Sequence, residues 1–169
     1  ARIFQQVQEA FYLARTRSMP VVIGVPLDIQ KMQTPNIAPY KPSTLYLAPD
    51  TPLPPDPSSI ADLAAKLAKA RKPILVAGRG AMKAQALSEI EALADATGAL
   101  LGTTLLAKGA YDHHDFSLGI VGGYVRHNSR QVCEDADLVI TFGAQLSRFT
   151  LDSGKLFPNA EIVQIDIAP

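Results

Sequence analysis

A chain of 169 residues is long enough to bury one core and to carry a fragment of a second domain. Apolar residues make up 47 % and charged residues 19 %, as in ordinary globular proteins, and sixteen Lys and Arg balance sixteen Asp and Glu. The neutral balance provides no broad field for nucleic acid or an anionic membrane. The single cysteine, Cys133, excludes a disulfide framework, and no apolar run approaches the roughly 18 residues of a membrane span.

Ile3, Phe4, Val7, Ala10, Phe11 and Ala14 recur at helical spacing, so residues 3–17 read as an amphipathic helix rather than a signal peptide. A cytoplasmic setting is expected. The apolar run Val21–Val25 reads as a buried strand, closed by Pro26-Leu27-Asp28. One helix and one strand cannot bury their own apolar surfaces. With Ala1 at the start and a motif interrupted at Asp166–Pro169, both ends read as cuts.

Nine of the thirteen prolines lie between Pro26 and Pro57. Proline fixes φ and lacks a donor, so this stretch is expected to hold neither helix nor central strand, and it reads as an extended linker. The expected division is residues 1–30, a linker at 31–57, and a domain at 58–169.

The pattern beyond residue 57 is regular. Ser59 and Asp62 have capping-box spacing ahead of a helix through Ile60, Leu63, Ala64, Leu67 and Ala68. Strands are expected at Ile74–Ala77, Ala99–Gly102, near Leu118–Val121, at Asp137–Phe142 and at Glu161–Ile167. Helices are expected through Leu87, Ile90, Leu93 and Ala94, ending at Gly98, and over Ser129–Glu134. Apolar strands alternating with helices imply a Rossmann-like, doubly wound parallel sheet with helices on both faces, a three-layer α/β/α domain.

Ligands bind such sheets beyond the carboxyl ends of the strands. The residues there are Gly78-Arg79-Gly80, Thr103-Thr104-Leu105, Gly122-Gly123, Gly143-Ala144 and Asp166. Glycine permits close approach of a ligand to the backbone, although each could equally serve a tight turn. The dinucleotide fingerprint is incomplete, because Lys83 stands where the third glycine belongs and Gly102-Thr103-Thr104 replaces the acid of the second strand. His113-His114, flanked by Asp112 and Asp115, reads as a solvated loop rather than a metal cluster. Cys133 reads as a small buried residue, and no catalytic constellation emerges.

The run Ala70–Ala81 (ARKPILVAGRGA) resembles the start of the central domain of thiamine diphosphate-dependent enzymes of the acetolactate synthase, benzoylformate decarboxylase and oxalyl-CoA decarboxylase group. Thr103–Ala110, Leu118–Gly123, Ala136–Ala144 and Ile165-Asp166-Ile167 agree in order, and Val21–Asp28 resembles the end of the family's pyrimidine-binding domain. The resemblance implies that residues 1–30 are the tail of that domain. It also implies a parent that uses thiamine diphosphate and Mg²⁺ to decarboxylate a 2-oxo acid or join its acyl carbanion to an acceptor. The activating glutamate and the G-D-G…N motif would then lie outside this chain, in the flanking pyrimidine- and diphosphate-binding domains. The parent would be a homodimer or tetramer, and this segment a scaffold without activity of its own.

Some relatives carry FAD or ADP on the central domain. The matching positions are Gly78, Arg79, Gly80, Thr104, Leu105, Gly122, Gly143 and Asp166. FAD-binding relatives continue after the fourth strand with an R-F-D-D-R type run, where this chain has Gln145-Leu146-Ser147-Arg148-Phe149, so an empty nucleotide site is favoured. The alternatives are a free-standing NAD- or nucleotide-binding module and a purely structural domain.

Overall fold

The computed structural model describes residues 2–33, 39–47 and 54–167. The chain divides into two compact units, Ala1–Pro52 and Leu53–Pro169.

In the first unit, α1 (Ile3–Thr16) forms as its apolar spacing requires, yet none of its residues is buried. Gln8 Nε2 donates to the Lys41 carbonyl at 2.8 Å, beside a 3₁₀ turn at Ser43–Tyr46. Residues 21–25 do not form the expected strand, and Val22 is 93 % exposed. A strand needs a neighbour for its backbone groups, and no described segment pairs with this one. The proline-rich stretch also holds more helix than expected. A single turn, α2 (Leu27–Gln30), follows Pro26, and the 3₁₀ turn follows Pro42. In both, proline stands at the N-cap, where its missing N–H costs nothing.

The second unit opens with α3 (Pro57–Lys69). Its cap is Asp56, not the expected Ser59. The Asp56 carboxylate accepts the Ser59 amide at 2.9 Å, and Pro57 fills the first helical position. Hydrogen bonds from the Ser58 hydroxyl and then from Ser59 hold the Asp56 carboxyl below the usual carboxylate range.

Five parallel strands follow: β1 (Pro73–Ala77), β2 (Leu100–Thr103), β3 (Ser117–Ile120), β4 (Leu138–Phe142) and β5 (Glu161–Ile165). They lie in the order β3-β2-β1-β4-β5. The order reverses between β1 and β4, which makes this the doubly wound, Rossmann-like architecture expected from the sequence. Every residue of β1 is buried. Leu75 and Ala77 face one layer with Leu67, Ile90 and Ala94, the contributions of α3 and α5 (Leu87–Thr97). Ile74 and Val76 face the other, with Val139, Leu118 and Cys133, the last from α6 (His127–Glu134). Alternation of side chains along a strand buried on both sides makes its sequence a continuous apolar run. Removing a buried side chain such as Leu75 costs about 2–5 kcal/mol.

The amino end of the sheet is held by Asp137, whose carboxylate accepts the Arg71 amide at 2.7 Å and the Lys72 amide at 2.9 Å. These bonds, that from Arg71 first, keep its carboxyl below the usual range. Gly98 ends α5 at φ +69°, the left-handed C-cap its position requires.

Candidate functional site

The expected site residues gather at the carboxyl edge of the sheet, but the glycines among them are engaged with backbone. Gly78 N donates to Phe142 O at 2.9 Å, and Gly80 N donates to Gly143 O at 2.9 Å. A Cβ on Gly78 would stand 2.2 Å from the Gly143 carbonyl oxygen. On Gly80 it would stand 2.6 Å from Gly143 Cα, and on Gly143 (φ +56°) it would stand 2.4 Å from the Ala81 amide nitrogen. The β1 and β4 turns thus meet main chain to main chain, with no space between them. Gly102, in β2, is needed for Val121, whose methyl would lie 2.7 Å from a Cβ there.

The other positions lie along the same edge. Arg79 is exposed at the start of α4 (Arg79–Lys83), with Gly78 as the N-cap. One of the first amides of this short helix, that of Gly80, is already taken by Gly143. Thr104 is half-buried and donates its amide to Ala77 O at 2.9 Å, extending the β1–β2 ladder. Leu105 is 46 % exposed. Thr103, at the point where an NAD site would carry an acid, is buried and turns its hydroxyl to Gly119 O at 3.3 Å. Asp166 follows β5 and accepts the Ile167 amide at 2.8 Å.

Gly122 stands apart from the β1–β4 junction. At φ +98°, its Cβ position is filled by Phe149 O, 2.2 Å away, in the segment that follows β4. Gly123 N donates to the same oxygen at 2.8 Å. That segment carries Arg148, whose guanidinium lies 4.8 Å from the Phe149 ring centroid, and both residues are exposed. Tyr124 and Arg126 are exposed nearby in sequence. No spacing signal marks these side chains, because an irregular segment has no period to read.

The residues set aside on sequence grounds are also placed. His113 pairs with Glu91 at 3.1 Å from an exposed position. His114 is not solvated as expected: its side chain is only 12 % exposed, paired with Asp95 at 3.1 Å and tilted against Phe116. No group of three His, Cys, Asp or Glu among the described residues converges to hold a metal ion. Cys133 is buried, and burial pushes its thiol up to about 11, against the opposing pull of Arg130.

Comparison with known proteins adds the decisive observation. The model of the thiamine pyrophosphate enzyme central domain matches residues 60–169. The chain belongs to this family. It is similar to the acetolactate synthase large subunit of Corynebacterium glutamicum, 32 % identical over 98 % of this chain and 26 % of the relative. It is also similar to the acetolactate synthase of Arthrospira platensis, 32 % identical over 96 % of this chain and 29 % of the relative. The acetolactate synthase of Mycobacterium bovis is 30 % identical over 95 % and 26 %. This central-domain chain therefore spans about a quarter of the length of the curated relatives it matches. Among its described residues, no helix is long and apolar enough to cross a membrane.

Proposed function

We propose that this chain is the central scaffold domain of a thiamine diphosphate- and Mg²⁺-dependent enzyme that decarboxylates a 2-oxo acid or joins its acyl unit to an acceptor. The observation that carries this reading is the family match over residues 60–169, on a chain whose likeness to acetolactate synthases runs through nearly its whole length while covering about a quarter of theirs. Residues 1–30 are read as the tail of a pyrimidine-binding domain and 31–57 as the linker. The exposed apolar residues Val21, Val22 and Ile23 support that reading, since they lack the sheet they would pack on. The activating glutamate and the diphosphate motif are assigned to the flanking domains. The parent is read as a cytoplasmic homodimer or tetramer.

Backbone packing at the carboxyl edge supports the reading of an empty nucleotide site over one occupied by FAD or ADP. Gly78, Gly80, Gly122 and Gly143 admit no Cβ, but neighbouring backbone already fills the space. Arg79, Thr104, Leu105 and Asp166 remain as side chains a nucleotide could touch, and the site is read as empty of a resident nucleotide.

The test is to incubate the purified chain with pyruvate, thiamine diphosphate and Mg²⁺. No carbon dioxide above the buffer rate is expected, and turnover would refute the scaffold reading. The parent gene is expected to continue past Pro169 into a G-D-G followed by an Asn; a stop codon at that point would make a free-standing nucleotide-binding module the better reading. Titration with FAD, ADP and NAD is expected to show no saturable binding. Saturation by FAD or ADP alone would restore the nucleotide site, and saturation by NAD would favour the free-standing module.

A further inference from the structure

The segment between β4 and β5 does not take the short way to its strand. It leaves β4 at Gly143, which is packed against Gly80, and six residues later Phe149 is packed on Gly122 and bonded to Gly123, beyond the end of β3. In the strand order, β1 and β2 lie between those two points. Three strand spacings amount to about 14 Å, well within the roughly 20 Å that six residues can reach. Both anchors lie beyond the carboxyl ends of their strands, so the chain between them links the end of β4 to the end of β3.

The return half of the segment is held by a different device. Arg130, on α6, donates to Asp152 Oδ2 at 2.8 Å and also faces Glu134 at 3.5 Å. Asp152, Ser153 and Gly154 are consecutive left-handed residues, at φ +48°, +57° and +83°. Two of them carry a Cβ, which disfavours that conformation. Ser153 N donates to Arg148 O at 2.7 Å, so the constrained turn closes back on the residue before Phe149. Arg130 and Asp152 are each about one-third exposed, which leaves the pair partly shielded from solvent.

We propose that residues 145–154 form a latched strap across the carboxyl edge, held shut by the Arg130–Asp152 pair and opening as a unit when that pair is broken. Opening lets Asp152 and Ser153 relax to ordinary dihedrals and lifts Phe149 O from Gly122 and Gly123. The Gly122–Gly123 main chain is then exposed. The latch involves only groups of this chain and operates whether or not a nucleotide binds.

Residue-resolved amide exchange on the whole 169-residue chain tests it. Asp152→Asn removes the charge while keeping a side chain that tolerates the left-handed region. Exchange of the Gly123 and Ser153 amides is expected to accelerate about tenfold, with the β1 and β4 amides unchanged. Ser153→Gly keeps the pair and relieves the dihedral, and it is expected to slow exchange at both amides. Unchanged exchange in Asp152→Asn would overturn the latch. So would acceleration shared with β1 and β4, or faster exchange in Ser153→Gly.

Discussion

Replacing Gly78 by alanine isolates the meaning of the glycines at the carboxyl edge. Gly78 has φ −105°, which any residue adopts, so the substitution carries no dihedral penalty. Its whole cost is steric. The new methyl would lie 2.2 Å from Gly143 O, 2.6 Å from Ala144 Cα and 2.7 Å from Gly143 C, all backbone atoms that cannot rotate away. Overpacking of a tight site costs about 1–3 kcal/mol, and a backbone-only clash belongs at the upper end, about 3 kcal/mol. For a unit of this size that lowers Tm by about 10 °C. Gly143→Ala should be worse, because its φ of +56° adds about 1–2 kcal/mol of left-handed strain. Gly24→Ala is the control, since a Cβ there meets nothing within 4 Å. The assay is thermal and urea unfolding of the three variants beside the parent. A Gly78→Ala midpoint within about 0.5 kcal/mol of the parent would refute the claim that backbone packing requires this glycine.

Further expectations follow from the titrating and buried groups. The depressed Asp137 carboxyl stabilises the fold above the unfolded carboxyl range near pH 4, and that stability is lost as pH falls through the lower folded value. Asp137→Asn should therefore flatten the acid limb of a stability–pH profile; a profile that keeps its slope would contradict the two backbone bonds. Burial, aided by Glu91, raises the Tyr111 hydroxyl to about 12, so stability should decline between the unfolded value near 10 and about 12 as the unfolded chain ionises first. Tyr111→Phe should remove that decline and cost about 1 kcal/mol for the lost bond to Leu87 O, read by denaturant titration. Cys133 should react with a thiol reagent at pH 8 only as fast as the unit unfolds; rapid labelling of native protein would show the thiol is accessible.

Much of the second unit was legible because its elements announce themselves by period. The run Ile74–Ala77 is apolar at every position, which a strand buried on both faces demands, and Leu87, Ile90, Leu93 and Ala94 repeat on one helical face. Local geometry was less legible. Ser59 with Asp62 has capping spacing, but Asp56 holds the cap, because Pro57 takes the first helical position and the Asp56 carboxylate accepts the Ser59 amide. Val21–Val25 has strand composition and no strand, since pairing is not a local property. His114 looked like part of a polar loop, and only the three-dimensional position of Asp95 on α5 draws it in. The glycines at the strand ends illustrate the limit most sharply. Their sequence positions say that a Cβ is unwelcome, and only the fold identifies what excludes it.

The Gly80–Gly143 and Gly122–Phe149 contacts share a further property. Both are made of atoms that every residue possesses, so neither depends on the volume of any side chain. Side-chain layers shift as their members change size, whereas covalent main-chain dimensions do not. The distances from β1 to β4 and from β3 to the strap are thus set by the same invariant lengths. With the strap shut, the edge therefore keeps its spacing while side chains in the core beneath it change in size.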